Sequence, residues 1–204
     1  MHHKKASALA FAAVCLCGVA NADSITAPKP SFQYSGQQIV DRMNEGMAHP
    51  ARYTGMFKSS TGIGRLATIT HCTRKGSAPG NAFYTCDLTG VPVGTTGNLL
   101  ITLYHHKVSS VAISMQNDIK ADVGLTSVAT MLAEGALISA VDPQAHARGM
   151  SSKTHEELIM DGLSPGPTMN LTKTVRADGL TFRQQMMLGD LVLDVSPTGA
   201  SAKR

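Results

Sequence analysis

Two cysteines, a histidine and an aspartate lie close together in residues 69–88. Cys72 directly follows His71, and Cys86 directly precedes Asp87, while the other two cysteines belong to the N-terminal apolar run. Thiolates and imidazoles bind metals, and a nucleophile beside a His–Asp pair can be catalytic. The same residues would also suit a disulfide-linked hairpin. The stretch therefore raises three possibilities: a metal or redox site, a catalytic arrangement, or a structural disulfide.

The spacing of the two cysteines favours the disulfide. If the hairpin turns at Pro79, the numbers of facing residues sum to 158, which places Cys72 directly opposite Cys86. Facing α-carbons in an antiparallel pair lie about 4.5–5.5 Å apart, a distance that a disulfide spans. Closing a loop of about 15 residues stabilises a fold by on the order of 3 kcal/mol. The chain has no C-x-x-C pair here, so the pattern indicates neither a zinc site nor a thioredoxin-like redox site.

The same register places His71 opposite Asp87, on the other face of the hairpin. Such a pair contributes about 0.2–1 kcal/mol as an ordinary sheet contact. In a catalytic interpretation Asp87 would orient His71 as a general base, which also requires a nucleophile. No G-x-S-x-G motif is present, and residues 151–153 do not form S-x-x-K. We assign no catalytic residue and keep His71 and Asp87 as candidates for an alternative function, that of a small periplasmic hydrolase.

The other histidines do not follow a metal-binding pattern. His105 and His106 are adjacent at a strand end, where side chains point to opposite faces. Residues 155–157 begin like the zinc motif H-E-x-x-H, but position 159 is isoleucine. A second alternative is a periplasmic metal-handling protein in which His71, His105 and methionines converge, because imidazole and thioether ligands suit copper. We expect no cofactor and assign no metal ligand.

The N-terminus has the layout of a secretory signal peptide. MHHKK is basic, an uncharged apolar run follows at 6–20, and Ala20-Asn21-Ala22 matches an A-x-A cleavage site. We place the signal peptide at residues 1–22, with cleavage after Ala22, and expect a periplasmic or secreted protein. The apolar run is shorter than the roughly 20 residues of a membrane span, so no stable span is expected after cleavage.

The net charge and the chain length limit which partners and which fold can be expected. Cleavage of 22 of the 204 residues leaves 182 and removes two lysines, so 16 basic residues accompany 14 acidic ones. Those basic residues are scattered, whereas nucleic-acid binding relies on clustered Lys and Arg. We therefore expect no nucleic-acid partner. A mature chain of this length can bury the core of one domain.

Two capping boxes and one apolar run predict the helices. Residues 35–38 form the first box, and helical spacing follows as far as Pro50. Residues 154–157 form the second box, which opens a short helix. Between them, residues 124–141 carry one charge, Glu134, with apolar or small residues nearly all round the helix. A helix without a polar face is usually buried.

Alternation of apolar and polar residues predicts seven strands. Leu180, Phe182, Gln184 and Met186, for example, share one face of a strand. The predicted strands lie at about 65–73, 81–89, 98–106, 108–115, 169–176, 180–187 and 191–195.

Strands in runs and helices in runs, without regular βαβ alternation, predict an α+β fold. We expect an antiparallel sheet of about six or seven strands, with two or three helices packed mainly on one face. An extended leader is expected at residues 23–34, a single α+β domain at 35–195 and a disordered tail at 196–204.

The expected function is that of an exported binding or accessory protein, without enzymatic activity, that acts through a surface or groove. Its partner would be another envelope or secreted protein, and an apolar ligand is a further possibility. The sequence feature that supports this expectation is the predicted helix at residues 124–141. If it packs on one sheet face only, part of its apolar surface stays free for a partner.

Overall fold

The structure is a computed structural model that describes residues 31–49, 67–75, 81–118, 123–160, 170–187 and 190–199. The predicted signal peptide, most of the predicted leader and residues 200–204 lie outside these ranges. The described end of the leader is attached to the sheet. Phe32 is buried, and its backbone N–H donates to the carbonyl oxygen of Val108 at 2.9 Å.

Seven strands form one antiparallel sheet, which confirms the predicted α+β fold. The strands are β1 (Thr68–Lys75), β2 (Ala82–Thr89), β3 (Thr95–Tyr104), β4 (Lys107–Asn117), β5 (Asn170–Ala177), β6 (Leu180–Met187) and β7 (Asp190–Pro197). They lie in the order β1-β2-β3-β4-β7-β6-β5, so β1 and β5 are the edges. Two meanders therefore meet where β4 pairs with β7.

Four helices accompany the sheet in the described part of the chain. They are α1 (Gly36–Ala48), α2 (Val123–Val141), α3 (Pro143–Arg148) and α4 (Lys153–His155), and α4 continues as a π-helical turn at Glu156–Met160. The first predicted capping box is confirmed. The Ser35 hydroxyl oxygen accepts from the Gln38 N–H at 3.2 Å, and the Gln38 side-chain oxygen accepts from the Ser35 N–H at 2.8 Å.

The second predicted capping box is wrong, because Thr154 bonds elsewhere. Ser152 caps α4, its hydroxyl oxygen accepting from the His155 N–H at 3.2 Å. Thr154 instead donates its hydroxyl to Oδ2 of the buried Asp142 at 2.8 Å. Oδ1 of Asp142 accepts from the Gln144 N–H at 2.8 Å and caps α3. One carboxylate thus joins the starts of two helices, a contact that the local sequence pattern does not reveal.

The long helix α2 is buried, as its composition predicts. Every residue from Ala129 to Val141 is buried, including Glu134. The helix packs against α1, α3 and α4, and the Arg42 side chain of α1 donates to two carbonyl oxygens in its last turn. The apolar surface that we expected to stay free for a partner is therefore covered over residues 129–141. No helix of the described ranges is long and apolar enough to cross a membrane.

One face of the sheet carries the core shared with the helices. Gly97 of β3 lies in this face, where a Cβ atom would come within 2.8 Å of Met115 Sδ and 3.0 Å of Leu88 Cβ. These distances leave no room for a side chain at position 97. The opposite face is mostly polar, with Phe83 and Leu100 among its exposed apolar residues.

The last strand is longer than predicted. β7 runs to Pro197, with Ser196 paired to Thr181 and Pro197 paired to Leu180. The predicted disordered tail is therefore wrong for these two residues, because the full length of β6 gives them backbone partners.

Candidate functional site

The structure does not pair His71 with Asp87. Thr70 faces Asp87, and Thr73 faces Thr85, so β1 has one extra residue in a bulge between Thr70 and Thr73. The predicted register holds on the turn side of the bulge and is wrong by one residue on the other side. His71 lies within the bulge, exposed and at a positive φ of 49°, with Nδ1 3.0 Å from Thr70 Oγ1. The bulge has therefore separated the two catalytic candidates in register.

The predicted disulfide is present in the structure. Cys72 in the bulge is bonded to Cys86 of β2, with their α-carbons 4.0 Å apart. Cys86 is fully buried, whereas Cys72 is exposed. Beside them a groove of about 340 Å³ runs between the start of α1 and the strands β1 to β3, with Val40, Tyr84 and Ile101 in its wall. This groove matches the size class of a site for an apolar ligand.

Ser152, His155 and Ser139 form a buried cluster with the composition of a catalytic arrangement. Ser152 Oγ lies 2.8 Å from Nδ1 of His155, and Ser139 Oγ lies 3.4 Å from Nε2. His155 is fully buried, and this burial lowers the pKa of its imidazole from 6.5 to about 4. A general base is most effective when its pKa lies near the working pH, so this imidazole is a weak base.

The bonds of the serine–histidine cluster are structural ones. The Ser152 oxygen already caps α4, and both oxygens of the neighbouring Asp142 are used by Gln144 and Thr154. The other ring nitrogen of His155 faces the Gly135 backbone of α2. The cluster therefore holds α4 against α2 and presents no accessible nucleophile.

A wide polar cleft of about 400 Å³ lies beside the turn between β5 and β6. Arg148, Lys153 and Arg176 line it, together with the carboxylate of Asp178. Lys153 already pairs with Glu157 at 3.5 Å on the surface. Exposed pairs of this kind contribute about 0–1 kcal/mol, so the cleft offers scattered surface charges and no buried group that a ligand would satisfy.

A smaller crevice, which we call the Glu134 crevice, lies between α2, the π-helical turn and β6. Thr130 and Glu134 face it from successive turns of α2, and Gln184 faces it from the core side of β6. Its volume is about 50 Å³, more than the roughly 10–15 Å³ that a single water needs. The exposed Ser127 and the half-buried Met186 lie at its rim.

Two polar atoms of the Glu134 crevice have no hydrogen-bond partner among the described residues. They are Thr130 Oγ1 and Gln184 Oε1, on side chains that are only 5% and 1% exposed. A buried polar group without a partner is rare in native proteins and costs about 1–3 kcal/mol. The two atoms are therefore unsatisfied acceptor positions that face the crevice.

Glu134 is the ionisable group of the crevice. It is 3% exposed, and its Oε1 accepts from Nε2 of Gln184 at 2.5 Å. Burial raises the pKa of Glu134 from 4.5 to about 8, while the hydrogen bond from Gln184 opposes that rise. Near neutral pH Glu134 is therefore mostly protonated.

The crevice combines apolar walls with polar side chains. Met131, Leu158, Ile159 and Met186 supply apolar walls around the three polar side chains. Apolar walls, a few converging polar groups and one strongly shifted pKa make this crevice a candidate site, although it is smaller than a pocket for a whole small molecule. Glu134 accepts its hydrogen bond from Gln184.

Within the described residues, no three His, Cys, Asp or Glu side chains come close enough together to hold a metal ion. The two histidines of the metal-handling alternative lie in different parts of the sheet. His71 is in the β1 bulge and His105 is in the turn between β3 and β4, with β2 between those strands.

Comparison of the chain with family profiles, with curated proteins and with solved structures finds no match. The crevice therefore has to be interpreted from its own chemistry.

The sequence contains a signal for this site that belongs to no motif. Glu134 is the one charge in a helix that is otherwise uncharged. Gln184 lies between Phe182 and Met186 on the face of its strand that carries apolar residues. Each is a polar residue at a position where the regular spacing of apolar residues in its helix or strand predicts another apolar residue. Glu134 and Gln184 face each other because α2 packs over β6. This packing cannot be deduced from the spacing of residues along the chain.

Proposed function

We propose that this chain is an exported binding protein, without enzymatic activity, and that the Glu134 crevice holds a polar group of its partner. The partner is another envelope or secreted protein, and one of its side chains enters the crevice. The observation that carries the proposal is the pair of unpartnered buried atoms, Thr130 Oγ1 and Gln184 Oε1, facing a small cavity beside a buried carboxyl. A bound group that supplies their partners would recover the free energy that leaving them unpaired costs.

Two further features support the export part of the proposal. Residues 1–22 have the layout of a signal peptide, and Cys72 and Cys86 form a disulfide. Disulfides persist in oxidising compartments and are rare in the cytosol, so the bond is compatible with export.

The binding role can be tested by affinity capture from the envelope fraction of the native source, followed by mass spectrometry. Three forms of the mature chain serve as bait: the unchanged protein, Gln184→Met and Gln185→Met. Gln184 lies in the crevice, whereas Gln185 is exposed on the opposite face of the same strand. The two variants therefore carry the same substitution in adjacent positions, inside and outside the site.

We expect a protein that the unchanged chain and Gln185→Met recover and that Gln184→Met does not. Far-UV circular dichroism should first show that Gln184→Met is folded, and Glu134→Gln serves as a second crevice variant if it is not. Recovery of the same proteins by all baits would contradict the proposed site, and recovery of none would contradict the binding role.

A further inference from the structure

We infer that the Glu134 crevice binds a primary ammonium group carried on an alkyl stem, an inference that rests on the binding role proposed above. Glu134, Gln184 and Thr130 provide the oxygen atoms, and the methionine and leucine side chains provide the walls. The chemistry is shared by a lysine side chain of a partner protein and by a free alkylamine.

The orientation of the Gln184 amide places an acceptor on the open side of the crevice. Its Nε2 donates to Glu134 Oε1 at 2.5 Å and lies 3.4 Å from the carbonyl oxygen of Leu158. In this orientation Nε2 also points towards the Leu158 carbonyl oxygen, which an amide oxygen in its place would repel. Oε1 lies on the open side without a partner, where a donor would satisfy it.

The charge of the crevice favours a cation over an anion. Among the described residues, its lining contains no Lys, Arg or His, and Glu134 is the one ionisable side chain there. An ammonium group has three donors and a positive charge. Three oxygen-bearing side chains, one of them a carboxylate once the cation is present, match that set. An anion would meet only the carboxyl group and two uncharged side chains.

The apolar walls favour an alkylammonium group over a hard metal ion. Calcium takes six to eight oxygen ligands, and magnesium keeps several waters. Here three side chains and the hydroxyl of the rim residue Ser127 supply oxygen, the cavity measures about 50 Å³, and Met131, Leu158, Ile159 and Met186 are the other lining residues. Methylene groups of a stem passing Met186 would pack on those side chains, where a hydrated ion would find no partners.

Other charged groups packed around α2 bind elsewhere. His155 lies against Gly135, Arg42 binds carbonyl oxygens of the last helical turn, and Asp142 follows the end of the helix. Lys173 of β5 donates to the carbonyl oxygen of Glu157. The proton released when a cation enters therefore comes from Glu134, the titratable group in the crevice lining.

The test is calorimetric titration of n-butylammonium chloride into the oxidised full-length chain without its signal peptide. We expect saturable binding with release of close to one proton per ligand at pH 7, measured in buffers of different ionisation enthalpy. Because a Glu134 pKa of about 8 leaves a small ionised fraction at pH 6.5, the affinity should rise about 20-fold between pH 6.5 and 8.5. Gln184→Met and Glu134→Gln should bind about 10- to 100-fold more weakly, and Gln185→Met should bind normally.

A measurement on the unchanged protein guards against variants that fail to fold. Methyl NMR of the methionines should show shifts for Met131 and Met186, which line the crevice. Met187, exposed and adjacent in sequence to Met186, should not shift. Equal binding of 1-butanol, unchanged binding by Glu134→Gln, or no saturable binding at either pH would overturn the inference. The last result would mean that the crevice holds only water.

The source of the ammonium group is decided by a second probe, Nα-acetyl-lysine N-methylamide. If it binds as well as n-butylammonium, a lysine side chain of a partner fits. If only the free amine binds, the ligand is a small alkylamine. Capture that depends on Gln184 without ammonium binding would leave the proposed function standing and refute the present inference. Ammonium binding without such capture would support the present inference and contradict the proposed protein partner.

Discussion

Replacement of Glu134 by glutamine should change how the stability of this protein depends on pH. Glutamine has nearly the same shape and can still accept the hydrogen bond from Gln184, but it carries no proton to lose. The unchanged protein holds the Glu134 proton with a pKa of about 8, whereas the unfolded chain releases it near 4.5. Between these values the folded state binds one proton more than the unfolded state.

The sign and size of the effect follow from proton linkage. Stability falls as the pH rises wherever the folded state binds more protons, by about 1.4 kcal/mol per pH unit for one proton. Over the window from pH 4.5 to 8, Glu134 therefore lowers the free energy of unfolding by about 5 kcal/mol in all. The variant should match the unchanged protein near pH 4.5 and exceed it by about 3 kcal/mol at pH 7.

Because of His155, the free energy of unfolding of the unchanged protein should stay nearly constant between pH 4.5 and 6.5. Its pKa is about 4 when folded and 6.5 when unfolded, so its contribution to stability is lost as the pH falls from 6.5 to 4. This rise in stability with pH opposes the fall in stability that Glu134 causes between pH 4.5 and 6.5. Burial also raises the pKa of Asp178 and Asp194, but these residues are common to both proteins and cancel in their difference.

The assay is urea unfolding at half-unit steps from pH 4.5 to 8.5, with the disulfide intact. Far-UV circular dichroism is the probe because the chain has no tryptophan, and linear extrapolation gives the free energy of unfolding. Glu156→Gln removes a carboxylate of the same type at an exposed position and serves as the control. If the curves of Glu134→Gln and the unchanged protein run parallel from pH 5 to 8, the argument for a buried, protonated Glu134 is refuted.

Three further substitutions test the framework around the crevice. Cys72→Ala with Cys86→Ala should lower the free energy of unfolding by about 3 kcal/mol, because the disulfide joins residues 14 apart in sequence; an unchanged urea midpoint would contradict this. Thr154→Val should cost about 1–3 kcal/mol by leaving a buried oxygen of Asp142 without its donor, and a loss below the error of urea unfolding would show that the bond is dispensable. Gly97→Ala should cost about 1–3 kcal/mol because its Cβ would enter occupied space in the core, whereas Thr96→Ala on the exposed face should cost less than about 0.5 kcal/mol.

The elements of the fold were predictable where a local period or a local partner defines them. The capping box at Ser35 and Gln38 and the alternation at 180–187 each depend on residues within a few positions. The prediction failed at Thr154, where the hydroxyl bonds to Asp142, 12 residues away. It also failed at the β1 bulge, because one extra residue shifts the register of all pairs beyond it.

The sequence by itself determined the α+β class, the seven strands and the pairing of Cys72 with Cys86. These depend on hydrophobic period and on the position of one hairpin turn, both of which are local. Only the tertiary structure separated His71 from Asp87 and brought Glu134 of α2 to Gln184 of β6, 50 residues further along the chain. The physical reason is that the packing of the helix layer on the sheet decides which side chains are buried. A carboxyl group holds its proton near neutral pH, and an amide oxygen lacks a partner, only after a helix and a sheet have closed around them.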